Sequence, residues 1–245
     1  MTSKHLRIGS IAPDFEADTT EGPIKFHEWA GDSWVMFFSH PGDFTPVCTT
    51  EVADISHRAP DFKARNVKVI GISVDVLSDH YEWIGDIIDF GNLVRPTYVD
   101  FPIIADPKRE IAKLYDMIDD DPAALACEDR EQYTLRTVFI LDPKHVIRAT
   151  LLYPASVGRD FGEIIRLVDS LQTTDKYKVD TPAGWKKGDD VVIPHSLSDE
   201  EARKRFPNYK AHNPYLRTTP LTERVASETS KEDATCSGNG YAASN

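Results

Sequence analysis

The chain has 245 residues, 40% of them apolar, and a formal net charge of −12; that suits a globule with a full core, disfavours nucleic acid and anionic membrane surfaces as main partners, and leaves no apolar run near the ~20 residues a spanning helix needs. Three cysteines, at 48, 127 and 236, are odd in number and far apart, so they make no disulfide framework. The N-terminus, Met1 to Ile8, lacks the apolar core of a signal peptide, and a reducing compartment such as the cytoplasm is the simplest home.

Trp34-Val35-Met36-Phe37-Phe38 is a short apolar run of strand type, and His40-Pro41-Gly42 breaks it. Thr45 suits the N-cap of a following helix, and Pro46 suits its first position, where a missing N–H costs nothing. Cys48 then falls third in the helix, where a capping box would place Glu or Gln. A thiol there faces unpaired backbone N–H groups and the positive end of the helix dipole, and both favour the nucleophilic thiolate. The segment reads as an activated cysteine.

Further along, Val67 to Val74 is a central strand. Ser78 to Trp83 opens a helix, with Asp79 and Glu82 spaced as a capping box. Phe101 to Ile104 and Thr137 to Leu141 are strands, and Asp142 to His145 turns the second into a hairpin partner, Val146 to Leu152. Asp160 and Glu163 make another capping box before the helical stripe Phe161, Ile164, Ile165, Val168 and Leu171. Thr173 to Gly188 reads as a linker. Asp190 to Pro194 is a short strand, and Ser198 to Glu201 opens a helix ending near Phe206-Pro207. Residues 208–245 are polar and without apolar periodicity, which points to disorder or to a strap over a partner subunit. Alternating strands and helices make the fold class α/β.

Pro41-x-x-x-Thr45-x-x-Cys48 resembles the active-site motif of the peroxiredoxins. The longer string Phe38-Ser39-His40-Pro41-x-Asp43-Phe44-Thr45-Pro46-Val47-Cys48-Thr49-Thr50-Glu51 resembles their one-cysteine, six-type subfamily. The likeness continues in Arg136 to Ile140, Leu152 to Arg159 and Glu200 to Pro207, and covers residues 5–210. It implies a thioredoxin-like fold with a central mixed β-sheet flanked by helices, plus a smaller C-terminal arm. The implied division is a peroxidase domain over 5–172, a dimerisation arm over 173–207 and a tail over 208–245. The implied activity is reduction of hydrogen peroxide and organic hydroperoxides, in antioxidant defence, by a homodimer or a ring of dimers. No cofactor is expected. Metal is disfavoured also because the histidines and cysteines show no ligand spacing.

Cys48 is the expected nucleophile, oxidised to a sulfenic acid. The Thr45 hydroxyl can cap the helix or accept from the peroxide O–H, and the resemblance favours both. Pro41 would shield the thiolate from water. Arg136 precedes an apolar strand, where a buried cation needs a reason; the resemblance makes it the arginine beside the sulfur, and Arg159 a second arginine that positions it. Glu51, at i+3 from Cys48, shares its helix face and by resemblance orients the arginine. A cysteine at that position would have made a Cys-x-x-Cys reductase. His40 is placed by the resemblance near the sulfur, to tune the thiol or follow its oxidation state.

Acidic neighbours of Cys127 disfavour a thiolate there. Cys236 stays open as a resolving thiol; the expected course is a one-cysteine mechanism with an external thiol, glutathione, thioredoxin or similar, as reductant. Some relatives also hydrolyse phospholipids. Gly31-Asp32-Ser33-Trp34 and His27 match two members of that triad, but Val35 replaces a glycine and the third member falls on Lys144, with Asp142 two positions away. A lysine cannot orient an imidazole as a carboxylate does, so this activity is not expected. Redox-relay and holdase functions carry no signature of their own.

Overall fold

The computed structural model describes residues 6–118 and 133–221; Cys127 and Cys236 lie outside them. In chain order it contains β1 (Glu16–Thr19), β2 (Gly22–Lys25), α1 (Phe26–Ala30), β3 (Trp34–Ser39), α2 (Pro46–Lys63), β4 (Val67–Ser73), α3 (Leu77–Asn92), β5 (Ile103–Ala105), α4 (Glu110–Leu114), β6 (Arg136–Leu141) and β7 (Ile147–Tyr153). There follow α5 (Phe161–Tyr177), β8 (Val191–Val192), α6 (Asp199–Arg205), β9 (Lys210–Asn213) and β10 (Leu216–Thr219). Two compact units divide after Phe161.

In the first unit a seven-stranded sheet runs in the order β2-β1-β5-β4-β3-β6-β7. β3, β4 and β5 are parallel, while β6 and β7 are antiparallel to their neighbours. β3 and β6 are buried along their whole length, which is why both read as continuous apolar runs. From β3 the chain moves to β4 on one side, and β6 fills the other. Loops leaving parallel strands at such a reversal frame the usual site of an α/β sheet. Phe38 pairs with Val138, so the loop leaving β3 emerges beside Arg136, the first residue of β6.

Gly71 of β4 pairs with Phe38 of β3, and a Cβ at Gly71 would lie 2.9 Å from the Phe38 ring. That ring lies 5.4 Å from the Arg159 guanidinium. Gly71→Ala is expected to push the ring against the arginine and destabilise the fold by about 1–3 kcal/mol. Urea unfolding should show a lower midpoint at unchanged slope.

In the second unit β8, β10 and β9 form a three-stranded sheet over a core of Val179, Trp185, Val191, Ile193, Ala202 and Phe206. Ser198 caps α6 in a capping box with Glu201.

Three expectations need correction. α3 starts at Leu77, with Val76 as N-cap and no side-chain cap, rather than at an Asp79–Glu82 box. The turn before it is closed by Ser73 Oγ and Asp75, and the early start buries His80. α5 runs to Tyr177, past the linker expected from Thr173, because the polar composition of a linker is also that of an exposed helical end. The tail expected to be unpatterned from residue 208 opens with the β9–β10 hairpin. Its buried residues are Arg217 and Thr219, so hydropathy hides the alternation. Arg217 Nη1 donates to Asp199 and Nη2 to the carbonyls of Pro194 and Leu197, while its buried Nε has no hydrogen-bond partner among the described residues.

Candidate active site

β3 delivers a buried loop, His40 to Asp43. Phe44 then takes φ +55°, a left-handed conformation uncommon for a bulky residue, and turns the chain into α2. Thr45 is the extended N-cap and Pro46 the first helical residue, so Cys48 stands third, fully buried. One detail differs from the sequence reading. The Thr45 side chain makes no cap bond; its Oγ1 donates to the Gly42 carbonyl at 2.9 Å. With its hydrogen so engaged, the hydroxyl keeps its lone pairs for a donor.

Arg136 Nη1 lies 3.3 Å from Cys48 Sγ. The same nitrogen donates to Glu51 Oε2 at 2.7 Å, while Nε and Nη2 fork onto the Ala155 carbonyl at 2.8 and 2.6 Å. Arg159 approaches Glu51 from the other side: its backbone N–H and Nε reach Oε1 at 2.7 and 2.9 Å, and Nη2 reaches Oε2 at 2.8 Å. Its Nη1 donates to the Ser39 and Thr137 carbonyls. All three charged side chains are buried. Burial alone would raise the Glu51 carboxyl, but the hydrogen bonds and charge of Arg159, with the charge of Arg136, outweigh it and hold the group below its ordinary 4.5.

His40, at the start of that loop, is fully buried. Its Nε2 meets Asp43 Oδ1 at 2.8 Å, and its ring stacks on Trp83 at 4.9 Å. Trp83 Nε1 donates to Thr49 Oγ1 at 3.0 Å, and Thr49 Oγ1 donates to the Thr45 carbonyl at 2.9 Å. Among the described residues His40 makes no hydrogen bond to Sγ, and its Nδ1 has no hydrogen-bond partner. Asp43, His80, Trp83 and Asp75 were given no role by sequence reasoning. Asp43 sits inside the motif, but its significance needs His80, 37 positions away, and no local pattern carries that.

His40, Asp43 and Asp75 are the one metal-type cluster among the described residues. Their atoms are already engaged with one another, with His80 and with Ser73. A cleft of about 930 Å³ between the β1–β2 hairpin and α4, lined by Asp18, Trp29 and Glu110 among others, does not include Cys48; a small peroxide needs no such volume. Among the described residues no hydrogen bond joins the members of the phospholipase set. Ser33 Oγ donates to Asn66, His27 Nε2 to the Ala12 carbonyl, and Asp142 binds the Lys144 and Val146 amides.

The AhpC/TSA family matches residues 8–150, and the C-terminal domain of 1-Cys peroxiredoxin matches residues 170–208. A mitochondrial peroxiredoxin of Saccharomyces cerevisiae is 48% identical over 214 residues, 87% of this chain and 80% of its own. Peroxiredoxin-6 of Gallus gallus is 46% identical over 224 residues, 89% and 99% of the two chains. The crystal structure of a cysteine-to-serine mutant of peroxiredoxin 6 from Arenicola marina has a TM-score of 0.83 at 42% identity, over 89% of this chain and 99% of that one. The yeast mitochondrial 1-Cys peroxiredoxin has a TM-score of 0.79 at 45% identity, over 88% and 100%. No described helix is long and apolar enough to cross a membrane. With family matches in both parts of its length and relatives near half-identical over most of it, the chain belongs to the peroxiredoxins, the thiol-dependent peroxidases, in their one-cysteine group.

Proposed function

We propose that Cys48 is the peroxidatic residue and reduces hydrogen peroxide and organic hydroperoxides, with Arg136, Thr45 and Pro41 completing the reacting site and Glu51, Arg159 and His40 supporting it. The observation that carries this is the Arg136 guanidinium 3.3 Å from a fully buried sulfur. A thiolate attacks the terminal peroxide oxygen; the S–O bond forms, the O–O bond breaks, and the leaving oxygen takes a proton and departs as water or alcohol. Sulfur is oxidised to sulfenic acid. Negative charge moves from sulfur to the leaving oxygen, and a guanidinium fixed by Glu51 and the Ala155 carbonyl meets that charge without reorganising. The Thr45 lone pairs accept from the peroxide O–H. Pro41, buried in the loop, keeps water from the sulfur.

One external thiol then condenses with the sulfenic acid, releasing water, and a second frees Cys48 by exchange. The structure of the yeast relative is described as resolving its thiol through glutathione and thioredoxin systems, and we extend the same reductants to this chain. Cys236→Ser should leave turnover with glutathione intact; a lost crosslink on non-reducing gels would make Cys236 the resolving thiol instead. The peroxidase domain over 5–172, the homodimer through the 173–207 arm and a cytoplasmic location belong to the same reading. Relay and holdase functions have no observation of their own in their favour.

Reduced protein mixed with one equivalent of hydrogen peroxide should oxidise far faster than free cysteine. Arg136→Lys keeps the charge but loses the planar fork onto Ala155 and Glu51, and the rate should fall about 10²–10³-fold. An unchanged rate in the lysine variant would remove the arginine from the mechanism.

A further inference from the structure

Asp43 lies in the loop that carries Pro41 and Thr45, yet nothing in the reaction above uses it. Each of its carboxylate oxygens meets a fully buried imidazole: Oδ1 is 2.8 Å from His40 Nε2, and Oδ2 is 2.5 Å from His80 Nδ1. His80 Nε2 lies 3.1 Å from the Ile104 carbonyl in β5. A carbonyl only accepts, so His80 Nε2 carries a hydrogen. A neutral ring would then have a bare Nδ1, and a bare nitrogen against a bare carboxylate oxygen sets lone pair against lone pair. A proton therefore sits between His80 and Asp43. The Asp43 backbone N–H adds a third tie, donating at 2.9 Å to Asp75 Oδ2, which Ser73 Oγ holds at 2.6 Å.

We propose that Asp43 and His80 are positioning residues for peroxide reduction: a proton-bearing couple that ties the loop between β3 and α2 to α3 and β5 and so holds Pro41, Thr45 and the His40 ring in place around Cys48. The inference rests on the reading of Cys48 as the peroxidatic residue. Three further observations support it. Burial opposes ionisation of Asp43, but the hydrogen bonds and charges of His40 and His80 outweigh it and hold the carboxyl below its ordinary 3.8, in keeping with a carboxylate that accepts from both rings. The His40 ring reaches α2 through Trp83 and Thr49, which flanks Cys48. Phe44, next to Asp43, holds φ +55° with its ring about half exposed. Such a conformation persists only where the surroundings over-determine it, and the three ties of Asp43 do so.

Imidazole nitrogen NMR of histidine-labelled protein at neutral pH should show His80, assigned by loss of its signals in His80→Asn, with hydrogen on both ring nitrogens. Asparagine at position 80 puts an N–H donor where Nδ1 was, facing Asp43; glutamine puts it where Nε2 was, facing Ile104. His80→Gln should slow Cys48 oxidation about 10- to 100-fold, the range for a lost orienting partner, and His80→Asn should stay within about threefold of wild type. A merely structural role would lower both rates together with stability. A bare Nδ1 on His80, or equal rates in the two variants, overturns the proposal; the NMR result decides alone if His80→Gln does not fold. Wild-type protein whose Cys48 ignores peroxide would remove the underlying reading instead, a failure distinguishable because the variants are judged against wild type.

Discussion

Cys48→Ser should give a folded protein whose reaction with peroxide has fallen to the solvent background. A hydroxyl in place of the thiol keeps a polar atom beside Arg136 Nη1 in a site of nearly the same volume, so the change in stability should stay within about 1–2 kcal/mol. The Glu51–Arg136–Arg159 cluster does not depend on the sulfur. Reactivity has no such reserve. A serine hydroxyl is a weak nucleophile without an adjacent general base, and among the described residues no histidine nitrogen hydrogen-bonds to this position: His40 Nε2 is held by Asp43 and its Nδ1 has no hydrogen-bond partner. Stopped-flow fluorescence reads the difference. Trp83 is fully buried and bonded to Thr49, next to Cys48, so oxidation at the sulfur should change its emission in wild type and leave it flat in the variant. Appreciable turnover in Cys48→Ser would move the chemistry to another residue.

The parts of this site that lie close in sequence were legible there. Strand, break, N-cap, proline and cysteine follow each other within fifteen residues, and helix-start chemistry alone puts the thiol at the head of α2. The arginines were legible in a different way. A cation before an apolar strand is only a question until a resemblance supplies the partner, and the answer lies in Glu51, 85 positions from Arg136 and 108 from Arg159. Asp43 and His80 escaped because their bond joins a loop to a helix on another strand's crossover. Edge elements escaped for a simpler reason. β1 and β2 alternate between exposed and half-exposed positions with a single buried residue, Thr19, and β10 buries an arginine and a threonine. Hydropathy reports burial of apolar atoms, and these strands are fixed by ladder bonds and polar contacts instead.

Glu51→Gln should cost about 3–5 kcal/mol of stability, because it leaves two buried guanidinium groups without their counter-charge. Four N–H donors converge on the carboxylate. An amide offers one acceptor oxygen and turns two hydrogens of its own toward donors it cannot satisfy. The same cluster sets an acid limit on the wild type. Glu51 is held below its ordinary 4.5 in the folded protein, so the folded state favours the ionised form. Its contribution is fully present above that value and is lost as pH falls through the folded-state value. Urea midpoints measured from about pH 7 down to about pH 3 should therefore fall steeply for wild type below about pH 4.5 and less steeply for Glu51→Gln. Some slope will remain in the variant, since Asp43 is depressed by its own histidines and titrates in the same direction. Equal acid slopes would mean that Glu51 is not the carboxylate binding these arginines. Activity ought to follow stability here. Arg136 Nη1 reaches the sulfur while bonded to Glu51, and a guanidinium released from that bond is free to turn away from the oxygen it must meet.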